Sequence, residues 1–152
     1  MKHLLIILSI LLLSSPVIGD NHKGETLYGW GKCCDYVWKG FGDKETHSKY
    51  TGDVGNGVPN GFGIMIFPNG NKYIGDWKDG KWNGQGTFTT SNGSKYEGEL
   101  KNGERLGQGT HTYPDGSKYE GEYKDDWELN GTQYDKNRNI KYKYVNGNQI
   151  KQ

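Results

Sequence analysis

The sequence predicts an all-β fold: an elongated, single-layer array of stacked antiparallel β-hairpins, preceded by an N-terminal signal peptide. Three observations predict it. Laid over itself in steps of twenty-three residues, the chain brings Tyr50, Tyr73, Tyr96 and Tyr119 onto one position, each followed two residues later by a glycine (Gly52, Gly75, Gly98, Gly121). A fixed period of this length is the signature of a repeat architecture. Within the period, rings and glycines alternate with polar residues as a half-buried strand requires. The composition agrees: 25 of 152 residues are glycine, 32% are hydrophobic and 13% aromatic. Periodic glycine with that many rings reads as structural glycine, not as a disordered linker.

Residues 1–19 belong to a different regime. Lys2 supplies a positive charge, Leu4 to Leu13 is apolar apart from Ser9, Pro16 ends any helix, and Val17 and Gly19 sit at the small-residue positions of a cleavage site before Asp20. This is the pattern of a secretory signal peptide. The apolar run is well short of the roughly 20 residues a membrane-spanning helix needs. Without Lys2 the 19 basic residues drop to parity with the 18 acidic ones, so the mature chain is neutral. The expected location is outside the cytoplasm, secreted or periplasmic.

Residues 20–49 are rich in rings (Tyr28, Trp30, Tyr36, Trp38, Phe41) and keep part of the repeat, since Gly29 and Gly40 lie one period before Gly52 and Gly63. They are expected to form a degenerate first unit that caps the array, because solenoid ends must close an otherwise open face. The segment holds the two cysteines, Cys33 and Cys34, as neighbours. Adjacent Cα atoms are about 3.8 Å apart, closer than the usual disulfide range. A strained vicinal bridge, intermolecular or mixed disulfides, and free thiols are all open readings. No His, Asp or second cysteine pair stands at metal-ligand spacing, so no zinc site is expected.

The regular units occupy residues 50–125. Lys72 to Lys78 alternates, with Tyr73, Gly75 and Trp77 on one face and Lys72, Ile74, Asp76 and Lys78 on the other. Asp79-Gly80 turns the chain, Gly84 to Thr90 returns as a second strand, and Asn92-Gly93 leads into the next unit. Glycine inside a strand costs conformational entropy and needs a reason. A single sheet has no second layer to bury against. The glycines are therefore expected to clear one face so that tyrosine and tryptophan rings lie over bare backbone, a known device.

The run Tyr73-Ile74-Gly75-Asp76-Trp77-Lys78-Asp79-Gly80-Lys81-Trp82-Asn83-Gly84-Gln85-Gly86 resembles the unit of the MORN repeat family, in the manner of its exported bacterial type. The resemblance covers Tyr50 to Tyr123. Val54, Leu100 and Tyr123 replace the tryptophan, and Asp126 and Asn130 replace glycines in the fourth unit. What the resemblance implies is a curved array of stacked hairpins, from a family acting in protein interaction, scaffolding or membrane attachment.

Residues 126–152 are expected to be a degenerate C-terminal cap, with Tyr142 one period after Tyr119. Lys136, Arg138, Lys141, Lys143 and Lys151 follow with no acidic residue after Asp135. Edge strands carry lysine to prevent edge-to-edge association, and the same charge suits an anionic membrane surface.

Chemistry-bearing constellations are sparse. His22, His47 and His111 lie in different units, and His111 takes the strand position of Met65 and Phe88. Asp53, Asp76, Glu99 and Glu122 form a row with one carboxylate per unit, matched by Lys49, Lys72, Lys95 and Lys118, and read as a solvated, mutually compensating face. The expectation is a non-catalytic module without cofactor, binding another protein through Tyr73, Trp77, Tyr96 and Tyr119. The alternative is a peripheral binder of anionic lipid headgroups using Lys141 and Lys143. Nucleic acid is not an expected partner of a neutral exported chain, and oligomeric state is left open.

Overall fold

The computed structural model describes residues 22–31 and 35–151. The leader and the cysteine pair Cys33 and Cys34 lie outside the described residues. The elements are β1 (His22–Trp30), β2 (Val37–Lys39), β3 (Ser48–Gly55), β4 (Val58–Ile66), β5 (Lys72–Lys78), β6 (Lys81–Thr89), β7 (Lys95–Lys101), β8 (Glu104–Thr112), β9 (Lys118–Lys124), β10 (Trp127–Tyr134), β11 (Ile140–Val145) and β12 (Asn148–Lys151). They form one open antiparallel sheet in the order β12-β11-β10-β9-β8-β7-β6-β5-β4-β3-β1-β2.

Two kinds of turn write this topology. Inside each unit the two central residues both have positive φ: Asn56-Gly57, Asp79-Gly80, Asn102-Gly103, Asp125-Asp126 and Asn146-Gly147. That is the type I′ geometry whose twist matches the strands it joins. Between units the chain uses a wider turn, closed by Gly70 N–H to Phe67 O (2.9 Å), Gly93 to Thr90 (3.0 Å), Gly116 to Tyr113 (3.0 Å) and Arg138 to Asp135 (3.0 Å). The fourth of these puts Arg138 at φ 67°, where the others have glycine.

The core is one face of the sheet. Tyr50, Tyr73, Tyr96 and Tyr119 are buried on it, with Val54, Trp77, Leu100 and Tyr123 buried beside them. Each tyrosine ring covers a glycine pair of its own hairpin, Tyr73 covering Gly75 and Gly86. A Cβ on Gly75 would stand 2.7 Å from the Tyr73 hydroxyl, and one on Gly86 would meet the same ring. The hydroxyl then reaches past the glycine and donates to the backbone three residues on: Tyr50 to Asp53 O (2.6 Å), Tyr73 to Asp76 O (3.0 Å), Tyr96 to Glu99 O (2.9 Å) and Tyr119 to Glu122 O (3.0 Å). A ring this size is thus buried with its one polar atom satisfied.

Neighbouring units interlock edge to face. Trp77 meets Tyr50 of the preceding unit at 5.0 Å and Tyr73 of its own at 5.3 Å, and Tyr123 repeats this with Tyr96 (5.3 Å) and Tyr119 (5.2 Å). The Trp77 indole also donates to Gly63 O at 3.4 Å. The positions where tryptophan gives way to valine, leucine or tyrosine therefore keep their burial. What changes is how much ring they add.

The carboxylate row is more than a solvated face. Beside each glycine pair the pairing shifts by a bulge, between Gly52 and Val54, Gly75 and Trp77, and Gly98 and Leu100. Asp53 Oδ2 accepts the Phe62 amide there (3.2 Å) and Asp76 Oδ2 the Gln85 amide (3.0 Å). These acids satisfy N–H groups that the bulge removes from the ladder. The lysine row pairs elsewhere, Lys95 with Glu97 (2.8 Å) and Lys118 with Glu120.

Both ends depart from the repeat. At the N-terminus β1 pairs with β3, while β2 returns to the outer edge of β1. Leu27 is buried opposite Tyr50, one period before it, and a ring from Tyr36 covers Gly29. Gly40 has nothing over it. At the C-terminus Tyr142 pairs with Gln133 as Tyr119 pairs with His111, so its period is kept. Opposite Gly131, however, where earlier units have a second glycine, stands Tyr144. Its ring packs on Tyr119 at 5.2 Å and ends the ladder.

Candidate functional site: an open trough on the aromatic face

The N-terminal cap covers only the first part of the aromatic face. Trp38 on β2 packs edge-on against Tyr50 (6.0 Å) and Trp77 (5.9 Å), and its Nε1 lies where a Cβ on Gly80 would be 2.9 Å away. Beyond that turn the face is uncovered. Two adjoining hollows follow, sharing Arg105, His111 and Asp126 in their walls.

The first hollow, of about 360 Å³, is floored by Tyr96 and Leu100 and walled by Trp82 and Phe88. Trp82 is held flat against Tyr73, with centroids 4.3 Å apart and planes at 13°, and leans on Phe88 at 5.2 Å. Its polar rim is Thr90, Ser94, His111, Arg105 and Asp126. Ser94 Oγ and His111 Nε2 are 2.6 Å apart. Arg105 is fixed by Asp126, through Nε to Oδ1 (3.0 Å) and a second guanidinium nitrogen to the carbonyl (2.7 Å), while the Arg105 amide donates to the same carboxylate (2.9 Å). The guanidinium lies 4.9 Å from the Tyr123 ring centroid and 5.7 Å from that of Tyr96. Burial, and then the nearby Arg105 charge, hold the His111 pKa below its ordinary value.

The second hollow runs on over β10 and β11, lined by Tyr113, Trp127, Glu128 and Tyr144 among others. Tyr113 stacks against His111 at 4.4 Å and donates to Glu128 Oε1 at 3.1 Å. Burial and Glu128 raise the Tyr113 pKa well above the usual phenol value. Trp127 is 78% exposed at the rim, the most exposed large hydrophobic among the described residues.

The residues expected to touch a partner fall in different places. Tyr73 and Tyr119 are fully buried, and Trp77 and Tyr96 are 4% exposed. They support the face from beneath, with Tyr96 reaching the floor of the first hollow. Lys141 and Lys143 are exposed on β11, and the possible disulfide at Cys33 and Cys34 is outside the described residues. The residues that shape the trough were missed in the sequence: Trp82, Arg105 and Glu128 occupy one repeat position, a period apart, with Pro59 before them. Their variation at a fixed step was the available signal.

Fold and face together define a single-sheet β-hairpin repeat protein, built by stacking and presenting one partly open aromatic surface. The MORN repeat model matches three consecutive stretches, 50–72, 73–95 and 96–118, each beginning at a ladder tyrosine. Residues 50–118 are three MORN repeats. Comparison with curated proteins finds no match.

Proposed function

We propose that this chain is an exported, non-catalytic interaction module that docks a protein partner along the aromatic trough. The observation that carries this reading is a continuous hollow surface with rings at both ends, Trp82 and Phe88 at one and Tyr113 and Trp127 at the other. Rings held by packing lose little side-chain freedom on binding, which is why Trp and Tyr dominate binding hot spots. The module is non-catalytic on this reading because the hydroxyl–imidazole pair in the trough, Ser94 and His111, lacks an orienting acid. The carboxylate that lines the same hollow, Asp126, accepts from Arg105. A base in a catalytic triad needs a third group to hold its tautomer.

The test is cross-linked affinity capture from the native host with the full chain and a Trp127→Ala variant. Trp127 is exposed, so its loss leaves the fold intact. The reading expects a partner whose recovery falls sharply with the variant, and equal recovery would contradict it.

A second reading has its own observation. Lys141 and Lys143 stand exposed beside Val145 and opposite Ile150, both 48% exposed, an arrangement of lysine and aliphatic groups that suits an anionic bilayer surface. Co-sedimentation with anionic vesicles that weakens with salt supports this reading, and insensitivity to salt and lipid charge rejects it.

A further inference from the structure

The first hollow of the trough has a chemistry that narrows what it can hold. Its two charges are paired: Arg105 Nε donates to Asp126 Oδ1, and two bonds that involve the backbone, from a second guanidinium nitrogen to the Asp126 carbonyl and from the Arg105 amide to Oδ1, hold the pair in place. The pair carries no net charge, so a phosphate or carboxylate that approaches Arg105 also meets Asp126, and a cation that approaches Asp126 also meets Arg105. An ionic ligand of either sign is opposed by one member of the pair. An uncharged ligand avoids this opposition.

The rim is also mixed in hydrogen-bonding character. Ser94 Oγ and His111 Nε2 share a hydrogen bond, and Thr90 donates its hydroxyl within its own turn and keeps lone pairs to accept. Asp126 has acceptor lone pairs beyond those Arg105 uses, and Arg105 keeps guanidinium N–H groups that Asp126 does not take. Such a set matches a ligand carrying several hydroxyl groups. Opposite the rim, Trp82 offers a ring whose other side is stacked on Tyr73, so the indole is held in place before any ligand arrives. A flat apolar wall facing a ring of hydroxyl-compatible groups is complementary to a pyranose, which has an apolar C–H face and polar edges. The volume of about 360 Å³ is at the small end of ligand sites.

Resting on the trough as docking face, we propose that the hollow between Trp82 and Asp126 binds a neutral pyranose unit of a glycan. Further units of the chain extend past Arg105 toward Tyr113 and Trp127. The pyranose can come from a glycan attached to the protein partner or from a free polysaccharide.

The full chain is applied to an array of neutral glycans that includes both protein-linked types and polysaccharide fragments. Maltohexaose, cellohexaose and hexa-N-acetylchitohexaose are then titrated in solution by calorimetry and tryptophan fluorescence. The expected result is binding to neutral pyranosides, weakened about tenfold by Ser94→Ala and by Asp126→Asn, each of which changes one polar group of the rim. Unchanged circular dichroism and melting of the variants exclude misfolding as the cause. The array shows which source is preferred. No binding to any neutral glycan, binding confined to sulfated or phosphorylated ones, or binding untouched by both substitutions overturns the proposal. Capture of a protein partner that depends on Trp127 but persists without any glycan binding overturns the pyranose site alone and leaves the docking face standing.

Discussion

At the residue scale, the determining relation is between one tyrosine and two glycines. Tyr73 packs where Gly75 and Gly86 have no Cβ, and its hydroxyl ends on the Asp76 carbonyl. Gly86 has an ordinary φ, so it is glycine for space. Gly93, at φ 92° with nothing within 4 Å, is glycine for conformation. The two causes predict different costs. Gly93→Ala loses about 1 kcal/mol, whereas Gly86→Ala drives a methyl into the ring and loses about 2–4 kcal/mol, as read by urea denaturation. Equal losses would mean that the ring does not depend on the gap.

The same burial makes stability fall in alkali. Burial raises the phenol pKa of Tyr96 and of Tyr119 to about 12, and those of Tyr50, Tyr73 and Tyr123 further still. A folded pKa above the unfolded value of about 10 contributes stability that is complete below that pH and is lost as pH climbs through the folded pKa. Phenolate absorbance and loss of sheet signal should therefore rise together between pH 10 and 12. Full ionisation with the sheet intact would contradict the burial of these rings.

At the element scale, the unit is a hairpin whose two turns are specified by different chemistry. The type I′ turns need positive φ at both centres, and asparagine, aspartate and glycine supply it. The turns between units need it once, and Arg138 supplies it at a strain the glycines of earlier units avoid. Arg138→Gly is predicted to stabilise the chain by up to about 1 kcal/mol with an unchanged denaturant slope, as net of relieved strain and added unfolded-state freedom. A loss of stability would show that the arginine side chain contributes more than its backbone costs.

Much of this element was legible in advance. Strand faces, turn sites and the pairing of glycine with ring follow from residues that must be the same in every unit because their geometry is the same. The bulge acids were not legible: Asp53 and Asp76 look like surface charge in a sequence, and only the register brings each one to an unpaired amide. The return of β2 to the outside of β1 was hidden too, since the glycine alignment at Gly29 and Gly40 marks a degenerate capping unit but not the order of its strands.

At the scale of the whole molecule, a sheet one layer thick leaves two faces, and the ends decide how much of the aromatic one is covered. The Trp38 cap closes the first unit, Tyr144 ends the ladder, and the trough lies between them. Repetition explains why the site was harder to read than the fold. The residues that shape the trough sit where the repeat varies, as Trp82, Arg105 and Glu128 do, and a period found by matching identical residues passes over them. The most repeated rings, Tyr73 and Tyr119, were conspicuous for the opposite reason: they are buried and hold the sheet together.

The opposite face has its own exposed groups, Phe62 at 56% and Ile66 at 50%, which makes the choice of face a sharp test. Hydroxyl-radical footprinting of the complex captured from the native host measures it directly. The trough reading predicts protection of Trp82, Phe88, Tyr113 and Trp127, with Phe62 and Ile66 as reactive as in the free chain. Protection of Phe62 and Ile66 with the trough rings unchanged would place the partner on the other face and contradict the account.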